Sequence, residues 1–198
     1  MQRSLARNKY PFLLLLSGFL GLTASFALSL EKIRILEDPV LTPSCSLNPI
    51  ITCAAAMSSA QATTFGIPNS MIGIAFYTLL IAMAGLLMTS SLLSKRIWAA
   101  VAFIAVTGFI FTNYLILQSV LVLHVICPWC FVIWISAPLI IWSLVKIYTQ
   151  KSQAHSPRRS HRLVQSTNKH LPTFTILWYV YLLLLLLFTF WEYWVTLL

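Results

Sequence analysis

Leu121-Val-Leu-His124-Val-Ile-Cys127-Pro-Trp-Cys130-Phe-Val-Ile-Trp134-Ile-Ser-Ala-Pro-Leu-Ile-Ile-Trp-Ser-Leu-Val145 decides the fold, because it belongs to a run without Asp, Glu, Lys or Arg that extends from Ile97 to Val145. A helix rising 1.5 Å per residue crosses a hydrocarbon core about 30 Å thick in roughly 20 residues, so this run crosses twice. It must fold back on itself, and His124 marks the turn. The Cys-Pro-Trp-Cys that follows opens the returning helix, which puts its two thiols at or just inside a membrane surface.

The rest of the chain has the same character. Of 198 residues, 59% are hydrophobic and only 9% charged, which is the composition of a membrane protein and excludes an ordinary soluble domain. Five uncharged stretches are long enough to span: 11–30, 70–94, 97–123, 125–145 and 171–191. They leave room for one functional loop, 31–69, and one basic connection, 146–170, so residues 1–198 are read as a single all-α integral membrane domain. A cleavable signal peptide is the competing reading of the first span, with Ala27-Leu28-Ser29 as a loose cleavage site. The apolar run is longer than a signal core, and cleavage would remove one wall of a small bundle. A retained helix is favoured.

Loop charges choose the orientation. Arg3, Arg7 and Lys9 precede the first span, Lys95 and Arg96 join the second to the third, and Lys146, Lys151, Arg158, Arg159, Arg162 and Lys169 lie between the fourth and fifth. The other side carries Lys32 and Arg34 against Glu31, Glu37 and Asp38, with Glu192 near the C-terminal boundary. The positive-inside rule makes the first side cytoplasmic, together with the N-terminus. The 31–69 loop then faces a bacterial periplasm or an endoplasmic-reticulum lumen, both of which sustain disulfide chemistry. The formal net charge of +9 is divided among cytoplasmic segments rather than gathered on one surface. That distribution argues against a nucleic-acid partner and for contact with the lipid bilayer and its anionic headgroups.

With this topology all four cysteines, Cys45, Cys53, Cys127 and Cys130, fall on the outer side. At a helix start the free amides and the positive dipole end stabilise a thiolate, the reactive form, and Cys127 benefits most. Pro128 suits the first turn because its missing N–H would be unpaired there anyway. Trp129 shields the pair or anchors at the interface. Two static disulfides and a four-thiolate zinc site are the alternatives. A static bridge has little entropy to remove in a bundle already held by lipid, and a two-residue Cys-x-x-Cys loop is typical of reactive bridges. Zinc requires all four thiolates to converge tetrahedrally. A two-pair thiol relay without metal is favoured.

The outer loop is more than a tether. Thr52 is expected to cap a helix over the following Ala-rich stretch, with Cys53 in its first turn facing the bundle and Met57, Ala60 and Thr64 on the same side. Cys45 lies between Pro43 and Asn48-Pro49, so it is expected on non-helical, mobile backbone that reaches outward. Met57, Phe65, Tyr77 and Trp134 are candidates to line an aromatic, apolar pocket, with ordinary packing as the alternative.

Several of these residues also form a known pattern. Cys45 with a seven-residue gap to Cys53, Ser59 six positions later, Pro68-Asn69-Ser70, Gly73, Phe76-Tyr77-Thr78-Leu79 and Cys127-Pro-Trp-Cys130 together resemble the vitamin K epoxide reductase family, over roughly residues 10–145. The resemblance implies a four-helix transmembrane bundle around a quinone site, a partly helical extracytoplasmic cover loop and, as in bacterial members, a fifth transmembrane helix. It further implies that an outer-loop cysteine takes electrons from a periplasmic DsbA-like or other thioredoxin-fold protein. The loop pair then reduces the inner disulfide through Cys127, and Cys130 faces a membrane quinone of the ubiquinone or menaquinone type. Which of Cys45 and Cys53 meets the partner stays open. No thioredoxin domain is apparent in the chain, so the partner is expected to be a separate protein.

Carried over position by position, the resemblance makes Asn69 and Ser59 residues that polarise or position the quinone. An Asn at the outer end of the second span is suited to hydrogen-bond a quinone carbonyl, with a simple helix cap after Pro68 as its other role. Ser59 competes with Ser58 for its assignment and with plain backbone bonding for its role. Trp134 stands where vertebrate members carry a tyrosine. Together with the fifth span and the basic connection, that favours a bacterial disulfide-forming role over a vitamin K quinone or epoxide reductase in the strict sense. A convergent quinone-linked disulfide oxidase is disfavoured by cysteine order, and an outward reductase by the lack of cysteines on the basic side. A non-enzymatic membrane scaffold with static disulfides is the remaining alternative.

Overall fold

The computed structural model describes residues 2–38, 40, 42–89, 94–155 and 161–197. Its elements are α1 (Gln2–Glu37), a short α2 (Ala54–Ser58), a 3₁₀ turn (Ala60–Thr63), α3 (Asn69–Thr89), α4 (Lys95–Leu117) prolonged by a π turn (Gln118–Val122), α5 (Pro128–His155), α6 (His161–Thr189) and α7 (Trp191–Leu197). Among the described residues β pairing is confined to an isolated parallel bridge, Ile51 with Ile126. Among the described residues five segments are long and apolar enough to cross a membrane: Lys9–Glu37, Asn69–Thr89, Arg96–Val122, Pro128–Gln150 and Lys169–Thr189. The protein is an all-α, multi-pass membrane protein.

The first helix departs from the expected 11–30 by running on to Glu37. It carries charged residues beyond the apolar run because they find partners within the protein. Glu31 Oε1 accepts from Ser44 Oγ at 2.5 Å and from Arg34 Nη1 at 3.3 Å, and Lys32 Nζ donates to the Met57 carbonyl at 2.7 Å. The outer connection therefore begins at Asp38 rather than at residue 31. At the other end of the bundle, residues 90–93 of the expected second span lie outside the described residues. So do residues 156–160 of the expected basic connection 146–170 and the side chains of 151–168, which include Lys151, Arg158, Arg159 and Arg162.

Helix α5 is the centre of the bundle, packing against α1, α4 and α6. Helix α1 also lies along α3, and small residues permit that close approach. A Cβ on Gly18 would meet Ile81 Cγ1 at 2.9 Å, one on Gly73 would meet Ser25 Oγ at 2.5 Å, and one on Gly21 would overlap the Tyr77 ring. Leu14, Tyr77, Leu80, Ala84, Ile140 and Leu144 form the core of this half. On the far side of α5, Ile116, Val120 and Trp134 pack with Trp178, Leu182 and Phe190. Two polar contacts fasten α6 there: Trp178 Nε1 donates to Asn113 Oδ1 at 3.1 Å and Tyr179 Oη to the Ile135 carbonyl at 2.8 Å. Several hydroxyls inside the spans turn back on their own helices, as Ser17 does to the Leu13 carbonyl and Ser143 to that of Leu139, so these need no water in lipid.

Helices α3 and α4 make little direct contact. The gap between them is roofed at the outer end by the segment that holds α2 and the 3₁₀ turn, where Phe65 meets Phe111 of α4 at 5.7 Å between ring centroids.

Candidate redox site

The site is assembled where the outer loop meets the start of α5. The chain leaves α4 through the π turn, with Leu123 N donating to the Gln118 carbonyl at 3.0 Å, and reverses at His124, whose φ of 52° is left-handed. Ser119 braces the reversal, its hydroxyl donating to the Val125 carbonyl at 2.7 Å and its own carbonyl accepting from Val125 N at 3.0 Å. The next residue, Ile126, is a template for the loop. Its N–H donates to the Ile50 carbonyl at 2.8 Å and its carbonyl accepts from Thr52 N at 3.1 Å. β-Branched residues on both strands suit this extended pairing.

One consequence of the pairing is that Cys53 lies against Cys127, with the two sulfurs 3.4 Å apart. Cys53 is bonded to Cys45, whereas Cys127 and Cys130 are thiols. Cys127 directly precedes α5, and the Cys130 amide lies 3.5 Å from its sulfur, in donor position. An amide donor at a helix start is the environment that stabilises a thiolate.

The expectation that Cys45 reaches outward is corrected. Its bond to Cys53 draws it inward, and it sits 8% exposed in a cluster with Leu28, Met57 and Cys127. The cover helix is also shorter than expected. Cys53 itself occupies the N-cap position, Thr52 Oγ1 accepts from Ala54 N at 3.2 Å, and the helix stops at Ser58 because Ser59 is extended (φ −67°, ψ 152°). Met57, Ala60 and Thr64 therefore do not share one continuous helix.

A cavity of about 430 Å³ lies beneath the cover, between α1, α3, α4 and α5. Cys130 is on its wall; Cys127 is not. Met57, Ser59, Phe65, Asn69, Tyr77 and Trp134 all line it, in different ways. Tyr77 and Trp134 are buried walls, and Met57 hangs from the cover. Phe65 is largely exposed at the mouth, its ring against Phe111. Asn69 begins α3 and latches the cover, Nδ2 donating to the Gln61 carbonyl at 2.6 Å and Oδ1 accepting from Thr64 N at 3.3 Å. Ser59 Oγ donates to the Ala56 carbonyl at 2.8 Å. Among the described residues no group of three His, Cys, Asp or Glu side chains could hold a metal ion.

With the sulfurs and the cavity in place, comparison with known proteins is decisive at the level of family. The profile of the vitamin K epoxide reductase family matches residues 12–145. The chain belongs to this family. No curated protein matches it in direct comparison. The vitamin K epoxide reductase match runs from α1 into α5 and takes in all four cysteines, whereas α6 and α7 lie outside it. Membership supports an oxidoreductase, either a thiol oxidoreductase or a quinone reductase.

Two features of this site escaped the sequence reading. The first is Lys32, among the described residues the one charged residue on the cavity wall, with Ser25 beside it, whose buried Oγ has no hydrogen-bond partner among them. Their signal is periodicity: Ser25, Leu28 and Lys32 recur at helical spacing and share one face of α1. The second is the Ile51–Ile126 bridge, signalled only by β-branched residues just before Cys53 and just before Cys127. Nothing in the sequence marks Gln118 or Phe111 as cavity residues.

Proposed function

We propose that the protein is a quinone-dependent thiol oxidoreductase of a bacterial cytoplasmic membrane. It draws electrons from a DsbA-like or other thioredoxin-fold dithiol protein in the periplasm and so sustains disulfide formation. The observation that carries this reading is the sulfur series: Cys45 bonded to Cys53, Cys53 at 3.4 Å from Cys127, and Cys130 on the cavity wall.

In this reading the partner thiolate attacks Cys45, the member of the loop pair that is not against Cys127. The partner leaves as a disulfide and the loop is left as a dithiol. Cys53 then attacks Cys127 of the inner disulfide, and the loop disulfide reforms as Cys127 and Cys130 become thiols. Each exchange moves two electrons through a mixed disulfide. With the loop oxidised and the inner pair reduced, the inner dithiol is ready to reduce a quinone, which takes up two electrons and two protons.

The cavity suits such an acceptor. Its volume is in the range of small-molecule sites, its walls are mainly apolar, and Tyr77, Phe65 and Phe111 offer ring faces. The unpartnered Ser25 hydroxyl is a polar group suited to orient a carbonyl, and Asn69, whose amide donates to the Gln61 carbonyl and to Thr64 Oγ1, acts by holding the cover over the cavity. The test is anaerobic mixing of the purified protein with a reduced thioredoxin-fold partner and ubiquinone or menaquinone analogues, following quinol. Wild type is expected to turn over with at least one quinone, Cys130→Ser to lose turnover, and Cys127→Ser to stop after oxidising one equivalent of partner, with the Cys45–Cys53 loop left as a dithiol and no quinol formed. Full turnover by Cys130→Ser, or none by wild type with any quinone, overturns the reading.

A further inference from the structure

The C-terminal arm, outside the family match, returns to the redox loop. Asn48 Nδ2 donates to Tyr193 Oη of α7 at 3.1 Å, across a sequence separation of 145. The other end of the same amide accepts from Ile50 N at 3.0 Å and from Ile51 N at 2.6 Å. Two N–H donors fix which end is oxygen, so the NH₂ must face Tyr193. One side chain thus ties α7 to the residues whose backbone pairs with Ile126. The contact is also apolar, since Ile50 and Ile126 pack with Phe190 and Trp194 around Val120 and Trp178.

Register matters at this place. A slip of one residue moves a strand by about 3.3 Å and turns its side chains to the other face. That distance is comparable to the 3.4 Å between Cys53 and Cys127. We infer that the α6–α7 arm is a positioning device for the internal disulfide exchange: Tyr193, through Asn48, holds Ile50-Ile51-Thr52 in register with Ile126 and keeps Cys53 in reach of Cys127.

The inference rests on the relay proposed above. The step it serves begins when the Cys53 thiolate attacks Cys127: the Cys53–Cys127 bond forms, the Cys127–Cys130 bond breaks, and Cys130 leaves as a thiolate that takes a proton. Cys45 then attacks Cys53, the loop disulfide reforms and Cys127 is released, so that two electrons have passed from the loop to the inner pair. Tyr193 and Asn48 touch none of these sulfurs, and their effect is on the approach alone.

The experiment uses the full chain in lipid nanodiscs, with Cys45→Ser and Cys130→Ser leaving only Cys53 and Cys127. Limited diamide then cross-links that pair at a rate set by their approach. Tyr193→Phe, which keeps the ring, is expected to slow cross-linking about fivefold, the factor one ordinary hydrogen bond supports. Asn48→Ala slows it more, because the turn is lost as well, and adding Tyr193→Phe to Asn48→Ala has no further effect. The Cys127–Cys130 cross-link, measured in a Cys45→Ser, Cys53→Ser background, keeps its rate. Unchanged Cys53–Cys127 cross-linking in both variants overturns the inference, as does an equal loss at Cys127–Cys130, which would report general unfolding. No quinone enters this assay, so its failure is distinct from failure of the quinone titration.

Discussion

Lys32 shows how much one side chain contributes at this site. Its ammonium donates to the carbonyl of Met57 near the C-terminal end of α2, where the helix presents unpaired carbonyls and partial negative charge. The same residue lines the cavity, so the fastening of the cover and the shape of the pocket share a residue. A hydrogen bond to a charged group is worth about 1.5–3 kcal/mol in general, and the half-exposed position of Lys32 puts this one at the low end. Lys32→Met keeps the length of the side chain and removes the bond. With Met57 less firmly held over the cavity, KM for quinone is expected to rise about tenfold while kcat changes little. Lys32→Arg is expected to recover most of the loss. Steady-state quinol formation checks both, and a fall in kcat at constant KM would mean that the charge acts in the chemical step instead.

Between elements, the contact of α1 with α3 sets one wall of the cavity, and glycines decide how close that contact is. Gly21 lies under the Tyr77 ring with no space for a methyl group, so Gly21→Ala must displace the ring, whose other side is the cavity. Overpacking of this kind costs about 1–3 kcal/mol. Gly21→Ala is expected to lower the melting temperature and to weaken quinone binding together. Gly18→Ala, which presses on Ile81 away from the cavity, is expected to lower stability alone, and Gly85→Ala, with open space around it, to be neutral or stabilising. Melting curves with and without quinone separate the three. The spans themselves were legible in the sequence, because lipid demands long uncharged runs, but which loop cysteine meets the start of α5 stayed open until the Ile51–Ile126 pairing brought Cys53 against Cys127. The outer end of α1 was not legible either, since Glu31 and Lys32 look like loop charges until Ser44 and Met57 are brought to them by the fold. The cover helix was over-read for a related reason. Ala54 to Ala62 has high helix propensity, but the segment must bend across the cavity mouth, and it does so at Ser59.

At the scale of the whole molecule the chemistry is all at one end. The loop pair, the Ile51–Ile126 bridge, the start of α5 and the cover occupy the end at which α1 finishes, while Ser94 and Lys95 begin α4 at the opposite end. That all four cysteines share one end was readable from the spans, and the positive-inside rule is what proposes that this end faces outward. The pairing of Ile126 with the loop was not readable, since one bridge between residues distant in sequence leaves no periodic trace. The polarity predicts a labelling pattern in a background with the four native cysteines replaced by serine. Leu47→Cys, at a loop position 73% exposed, should react with a membrane-impermeant maleimide on intact spheroplasts. Ser94→Cys should react only after permeabilisation. Ser94 Oγ accepts from Ile97 N at 3.3 Å as the cap of α4, so its loss costs about 1 kcal/mol, too little to dislodge a helix held by lipid. The reverse pattern would place the disulfide loop in the reducing compartment, where a Cys45–Cys53 bond would not persist, and would overturn the proposed direction of electron flow.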